Sequence, residues 1–388
     1  MADKLVFGIG LQTNKATNDF LRCLWSRLFA TFGKYGWQYM PARAGNDIFV
    51  GYVSFGDKLL LGVTLSYKKR GCLSKIEFVA SKYEGTTPLK PELKRCIEEA
   101  LDYGKYLKTF VYTTKLDKNL SFNRKKGKNF SIERNNLTLK VYGYDQIDCE
   151  SLLKTQLQQV CNLLTFDTLK YVTFSGTLME EVREKHNFKT DLIDNETGKA
   201  TDTIEKNEIY RNLEVSDKMT DYIDSYLERP YLYEEHYTLF DISVQIFSQA
   251  IRNEELSRMM VGLPDPYVEM AMTNYMSALE VITLNDKEPE TCECCGQMRY
   301  SIARRVRDLM EKVVPNGNNF ANQFYSNRSK FVHTGSLMSS NSYTSCSIPL
   351  MSKSSYSGMI MQLSRMDTWI KEAVKECIIW HENQTKIS

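Results

Sequence analysis

Near the C-terminal end of the chain, the segment Asn322-Gln323-Phe324-Tyr325-Ser326-Asn327-Arg328-Ser329-Lys330-Phe331-Val332-His333-Thr334-Gly335 carries one arginine and one histidine five residues apart. Those two side chains are enough to cut RNA without a metal. Histidine, with an ordinary pKa of about 6.5, can take or give a proton at neutral pH. Arginine stays charged and its planar fork grips phosphate oxygens, so it can hold the charge that builds on phosphorus. Geometry constrains the pair, because five residues of α-helix turn the chain through about 500° and leave the two side chains about 140° apart. Convergence then requires that Arg328 reach round, that the helix end distort, or that a second subunit complete the site. We favour the last, since a two-fold pairing of this helix brings two of each residue together.

The elements that must position this pair are helices. After Pro230 the strand-like patterns stop, and five helix candidates follow. They cover 237–254, about 266–284, about 297–313, Asn318 or Asn319 to His333, and a last one with Met359, Leu363, Met366, Ile370, Val374 and Cys377 on one stripe. Steps of three and four between apolar residues, such as Val268, Met272, Tyr275, Leu279 and Ile282, mark one buried face per helix. Gly335 suits the C-terminal stop of the fourth. Five such helices predict a bundle.

Arg328-Ser329-Lys330-Phe331-Val332-His333 resembles the R-x4-6-H signature of HEPN domains, and its surroundings resemble the ApeA-like branch of that family. Leu279-Glu280, Ala303-Arg304-Arg305-Val306, Tyr325-Ser326-Asn327-Arg328-Ser329 and Val332-His333-Thr334-Gly335 support the likeness, which covers roughly residues 235–384. Such domains are metal-independent endoribonucleases that act as dimers, and this branch is associated with anti-phage defence. The resemblance implies Arg328 and His333 as the catalytic pair, with Glu280, Tyr325, Asn327 and Ser329 supporting or orienting it. Ser329 fills the polar place after the arginine, where Asn, Asp or His is more usual. It further implies an RNA substrate, no cofactor, a homodimer, and a protein or phage-derived activator. The competing reading keeps the same residues structural, with Arg328 paired to Glu280 inside the bundle and His333 a cation favoured by the helix dipole. The domain would then be a non-catalytic dimerisation or partner-binding module.

Ahead of the helices, residues 1–190 alternate strand and helix patterns without a regular βαβ rhythm, which predicts an α+β domain of unassigned role, a sensor or substrate domain under the resemblance. Strands are expected over 47–55, 73–80, 106–114, 137–144 and 170–176, and helices over 16–36 and 147–163. A hairpin is expected to turn at Gly56-Asp57. Residues 191–234 form an acidic polar connector; from Asp191 to Asp224 there are ten acidic and four basic residues. The helical domain then spans 235–388.

Two further clusters have chemistry to weigh. Lys115 to Arg134 holds seven basic and two acidic residues, including Arg124, Lys125, Lys126 and Lys128, flanked by Phe122 and Phe130. Phosphate contacts plus aromatic stacking would hold single-stranded RNA there, and a solvated loop between strands explains the same pattern. Cys292, Cys294 and Cys295, with Cys346 as a fourth ligand, would make a zinc site, although free thiols in an insertion fit the spacing better.

Composition excludes less than it permits. A net charge of +2 gives no global field toward nucleic acid, so RNA contact must come from a local basic surface. Hydrophobic residues at 42% and charged residues at 25% describe a globular chain with real cores. We find no secretory leader and no run of the roughly 18 to 20 apolar residues that a spanning helix needs. The expectation is therefore a cytoplasmic protein with reduced thiols and no membrane partner. Phosphate-loop, zinc-helix and nucleophile-elbow motifs are absent from the sequence.

Overall fold

A computed structural model describes residues 4–33, 35–55, 59–69, 71–80, 89–174, 181–183, 210–229, 238–258, 266–284, 290–291, 298–299, 302–334 and 363–385. The fold is mixed α+β, with antiparallel sheets first and a mostly helical remainder.

The first layer pair begins with β1 (Lys4–Gly8) and α1 (Asn14–Phe32). Thr13 caps α1 by accepting from the Ala16 amide at 3.1 Å. Then come β2 (Tyr35–Ala44), β3 (Asp47–Phe55), β4 (Leu59–Lys69), β5 (Cys72–Ala80) and α2 (Lys90–Leu101). The sheet runs β1-β5-β4-β3-β2 with every pair antiparallel. Val53, Leu61, Val63, Ile76 and Phe78 alternate along their strands and meet Phe20, Leu24 and Leu28 of α1 and Leu93 and Ile97 of α2 in one core. β2, which the sequence pattern does not announce, is an edge strand exposed along most of its length, so it lacks the period-two alternation of a half-buried strand.

The second sheet contains β6 (Lys108–Lys115), β7 (Leu120–Lys126), β8 (Phe130–Arg134) and β9 (Asn136–Gly143), flanked by β10 (Glu181–Arg183) and β11 (Tyr210–Leu213). Its order is β10-β6-β9-β8-β7-β11. The strand expected over 170–176 does not form among its described residues. Its amides go to side chains instead: Tyr171 donates to Glu255 at 3.0 Å and Val172 to the Thr165 hydroxyl at 2.9 Å. A single bridge from Phe174 to Leu116 is the pairing that remains. Buried Val172 thus reads as strand from its type while packing as irregular chain.

From β9 the chain enters α3 (Gln146–Thr168), capped by Asp145. This helix is buried nearly all round, the pattern of an element covered on two sides. The second sheet lies on one side of it, and α5 (Leu239–Arg258) packs on another, with Phe166 edge-on to Phe247 at 5.1 Å between centroids. Phe247 meets Tyr275 of α6 (Pro266–Ile282) in the same way. One continuous core therefore runs from the second sheet through α3 into the helices, across the connector expected at 191–234. α6 is central and touches α5, α7 (Ile302–Val313), α8 (Gly317–Thr334) and α9 (Leu363–Thr385). A two-strand ladder of β12 (Glu290–Thr291) and β13 (Met298–Arg299) precedes α7. Among the described residues no helix is long and apolar enough to cross a membrane.

Part of the expected connector is ordered as β11 and α4 (Asp217–Glu228), the latter capped by Ser216. Its junction with α5 is held by Asp241, whose side chain is wholly buried. This carboxylate pairs with Arg229 and accepts from the Tyr222 hydroxyl, the Thr238 amide and the Thr238 hydroxyl, each at 2.9 Å. Removing one partner of such a pair leaves an uncompensated charge, so Asp241→Ala should cost about 3–5 kcal/mol in chemical denaturation. A loss under about 1 kcal/mol would mean that Arg229 simply turns out to water.

Candidate active site

α7 and α8 are joined by a tight reversal in which Asn316 takes a left-handed conformation, φ 59°, and its carbonyl accepts from Phe320 at 3.3 Å. The helix start expected at Asn318 or Asn319 is corrected by this geometry. α8 starts at Gly317, and the Asn318 amide donates to the Glu311 carboxylate of α7 at 2.7 Å, a negative charge placed at a helix N-terminus. Ala321 and Phe324 bury one face of α8, while Val306, Leu309 and Met310 bury the facing side of α7.

With that face turned inward, Arg328 lies beside α6. Its guanidinium pairs with Oε1 of Glu280, and the Tyr325 hydroxyl donates to the same oxygen at 3.1 Å. The two charged side chains keep 29% and 20% of their surface, so the guanidinium is fixed yet open to a ligand. Burial pushes the Tyr325 phenol above its ordinary range and the Glu280 charge adds to the push, while Arg328 and Arg307 work against it. Tyr325 is therefore a neutral donor at physiological pH, suited to orienting a carboxylate and not to taking a proton.

His333 lies in the last turn of α8, which runs unbroken to Thr334. The helix end is therefore not distorted, and Arg328 is drawn toward α6. Of the three routes to convergence, distortion is removed and reaching round is opposed by the Glu280 pair. The side chains of Asn327, Ser329 and His333, and Gly335 as a whole, lie outside the described residues, as do Cys292, Cys294, Cys295 and Cys346.

The basic segment finds a different environment from the one its composition suggests. β7 and β8 form a hairpin beside α4, and two of its lysines are paired with acidic residues of that helix. Lys125 pairs with Asp217 and Lys128 with Glu228, and the Lys128 and Asn129 amides donate to Asp224 at 2.6 and 2.7 Å. The lysines hold the Asp217 and Glu228 carboxyls below their ordinary range. Phe122 and Phe130 are each 3% exposed and belong to the core, so they are not a stacking platform for bases. Arg124 and Lys126 remain on the exposed side of β7.

Sequence reasoning passed over Arg307. Its Nε donates to the Ala303 carbonyl at 3.2 Å and its Nη1 to Asn322 Oδ1 at 3.0 Å. Asn322 in turn donates to Asn318 at 3.3 Å. The available signal was Arg304 and Arg307 three residues apart on the polar side of an amphipathic helix. A second polar cluster, Lys371 and Tyr275 around Glu254, is buried where α5, α6 and α9 meet, and there it ties helices together.

No protein family, curated protein or solved structure matches the chain.

Proposed function

We propose that the chain is a metal-independent endoribonuclease of the HEPN type, with α5 to α9 as its catalytic helical bundle. Arg328 stabilises the charge on the scissile phosphate. His333 acts as general base toward the ribose 2′-hydroxyl or as general acid toward the leaving oxygen. Glu280 and Tyr325 hold the arginine in place. The observation that carries this reading is the Glu280–Arg328–Tyr325 cluster: a preorganised guanidinium, part-exposed, on the same unbroken helix as His333. Because Arg328 is paired toward α6 while helical phase sets position 333 about 140° from position 328, the active site is composite, built by two copies of α8 across a two-fold axis. The sheets ahead of it regulate the nuclease and receive an activating protein or phage component, which makes it a cytoplasmic defence or toxin effector. That part of the reading rests on resemblance.

Purified full-length chain incubated with transfer, ribosomal and messenger RNA in excess chelator should produce fragments ending in 2′,3′-cyclic phosphate. Self-association without cleavage of any of the three would overturn the enzyme and leave a partner-binding helical module.

A further inference from the structure

The Arg307 side chain is half-buried, and it donates to two neutral acceptors, a backbone carbonyl and an amide oxygen. Among the described residues no carboxylate lies within ion-pair distance of it. Its bond to Asn322 lies at the protein surface, so the guanidinium stays open to a ligand, whereas Glu280 supplies a carboxylate to Arg328 and Asp241 one to Arg229. The nearest acid on its own helix face, Glu311, is occupied at the Asn318 amide.

The holding bonds also aim the fork. Nε and Nη1 are committed to Ala303 and Asn322, and the Asn318–Asn322 contact fixes the amide in turn. That leaves the remaining guanidinium edge as preorganised donor surface. Asn322 and Arg328 lie six residues apart on α8, about 9 Å along the axis and about 120° round it, with Tyr325 between them. Its charge reaches the Tyr325 hydroxyl, as the charge of Arg328 does, so both guanidiniums act on one phenol. Exposed Arg304 lies one turn away on the same side of α7.

We infer that Arg307 is a substrate-binding residue that grips a phosphate of single-stranded RNA flanking the one held by Arg328. This inference rests on the nuclease reading and adds to it how the strand is threaded. It also supplies a local cationic surface of the kind that a chain of net charge +2 needs, with Lys125 and Lys128 of the β7–β8 hairpin already paired with α4.

The test measures binding of the full-length chain to a fluorescein-labelled oligouridylate whose 2′-hydroxyls are methylated, so that it cannot be cut by 2′-attack. Each lost phosphate contact lowers the slope of log affinity against log salt by about 0.7 for a single strand. Arg307→Ala should show that drop and Arg307→Lys should restore it, while Lys94→Ala on distant α2 leaves the slope unchanged. On cleavable RNA, Arg307→Ala should raise KM by roughly tenfold with kcat nearly kept, the signature of lost ground-state binding. An unchanged slope and KM in a wild type that cuts RNA, with only a lower Tm for the variant, would overturn the phosphate contact and leave the nuclease standing. An Arg307-dependent slope in a wild type that cuts nothing would overturn the nuclease reading alone.

Discussion

His333→Ala and Arg328→Ala will each reduce RNA cleavage by about 10²–10⁴-fold, measured in chelator with the melting temperature of each variant recorded beside its rate. For histidine the loss is that of an acid–base group. For arginine it is the loss of charge stabilisation aimed at the transition state. Arg328→Lys should recover little, because an ammonium keeps the charge and loses the planar fork that spans two oxygens. The double variant should be hardly worse than either single one, since groups that act as a unit are not additive. Glu280→Gln is expected to be milder, about tenfold in kcat, because it loosens the guanidinium without removing it. Arg328→Ala leaves Glu280 with the Tyr325 hydroxyl as its remaining partner, which costs about 1–2 kcal/mol of stability. A fall in activity that merely tracked this loss would count against catalysis. Full cleavage by both alanine variants would end the assignment.

Co-expressing the two inactive chains separates a composite site from one contained in a single subunit, and its expected signal is large. In a composite site each active centre takes its arginine from one copy and its histidine from the other. A mixed dimer of Arg328→Ala with His333→Ala then has one centre lacking both groups and one centre intact. Roughly half of randomly assembled dimers are mixed, so the pool should recover about a quarter of wild-type activity, up from 10⁻² or less for either parent. Dimers purified through two different tags should recover about half. If the pair works within one chain, no mixture regains anything. The physical basis is the unbroken α8, which keeps the two residues about 140° apart, together with the ion pair that turns Arg328 toward α6. Recovery that fell to the parental level would leave only a rearranged Arg328, released from Glu280, as a route to convergence.

Local pattern accounts for much of what could be read in advance. The helices expected over 237–254 and about 266–284 appear as Leu239–Arg258 and Pro266–Ile282, while the one expected from about 297 begins at Ile302, after strand β13 at Met298–Arg299. The strands at 47–55 and 137–144 appear as Asp47–Phe55 and Asn136–Gly143. In each case the apolar period is carried by residues a few positions apart, and burial of one face suffices to select helix or strand. β3 and β4 pair antiparallel with Phe55 opposite Leu59, while the Gly56-Asp57 turn expected between them lies outside the described residues. Where the period failed, at β2 and at 170–176, the outcome depended on an exposed edge in one case and on distant side-chain acceptors in the other.

The linear chain therefore settled the element types of the helical part and the presence of an arginine and a histidine on one helix, because periodicity and helical phase are properties of adjacent residues. Which charges face which was decided only in three dimensions. Lys125 and Asp217 are 92 residues apart, Arg328 and Glu280 are 48 apart, and nothing in either neighbourhood marks the partner. Coulomb attraction and desolvation act through space. Lys125 and Lys128 of the basic run are paired with α4, and an arginine that the pattern passed over is left beside the candidate site without a carboxylate among the described residues.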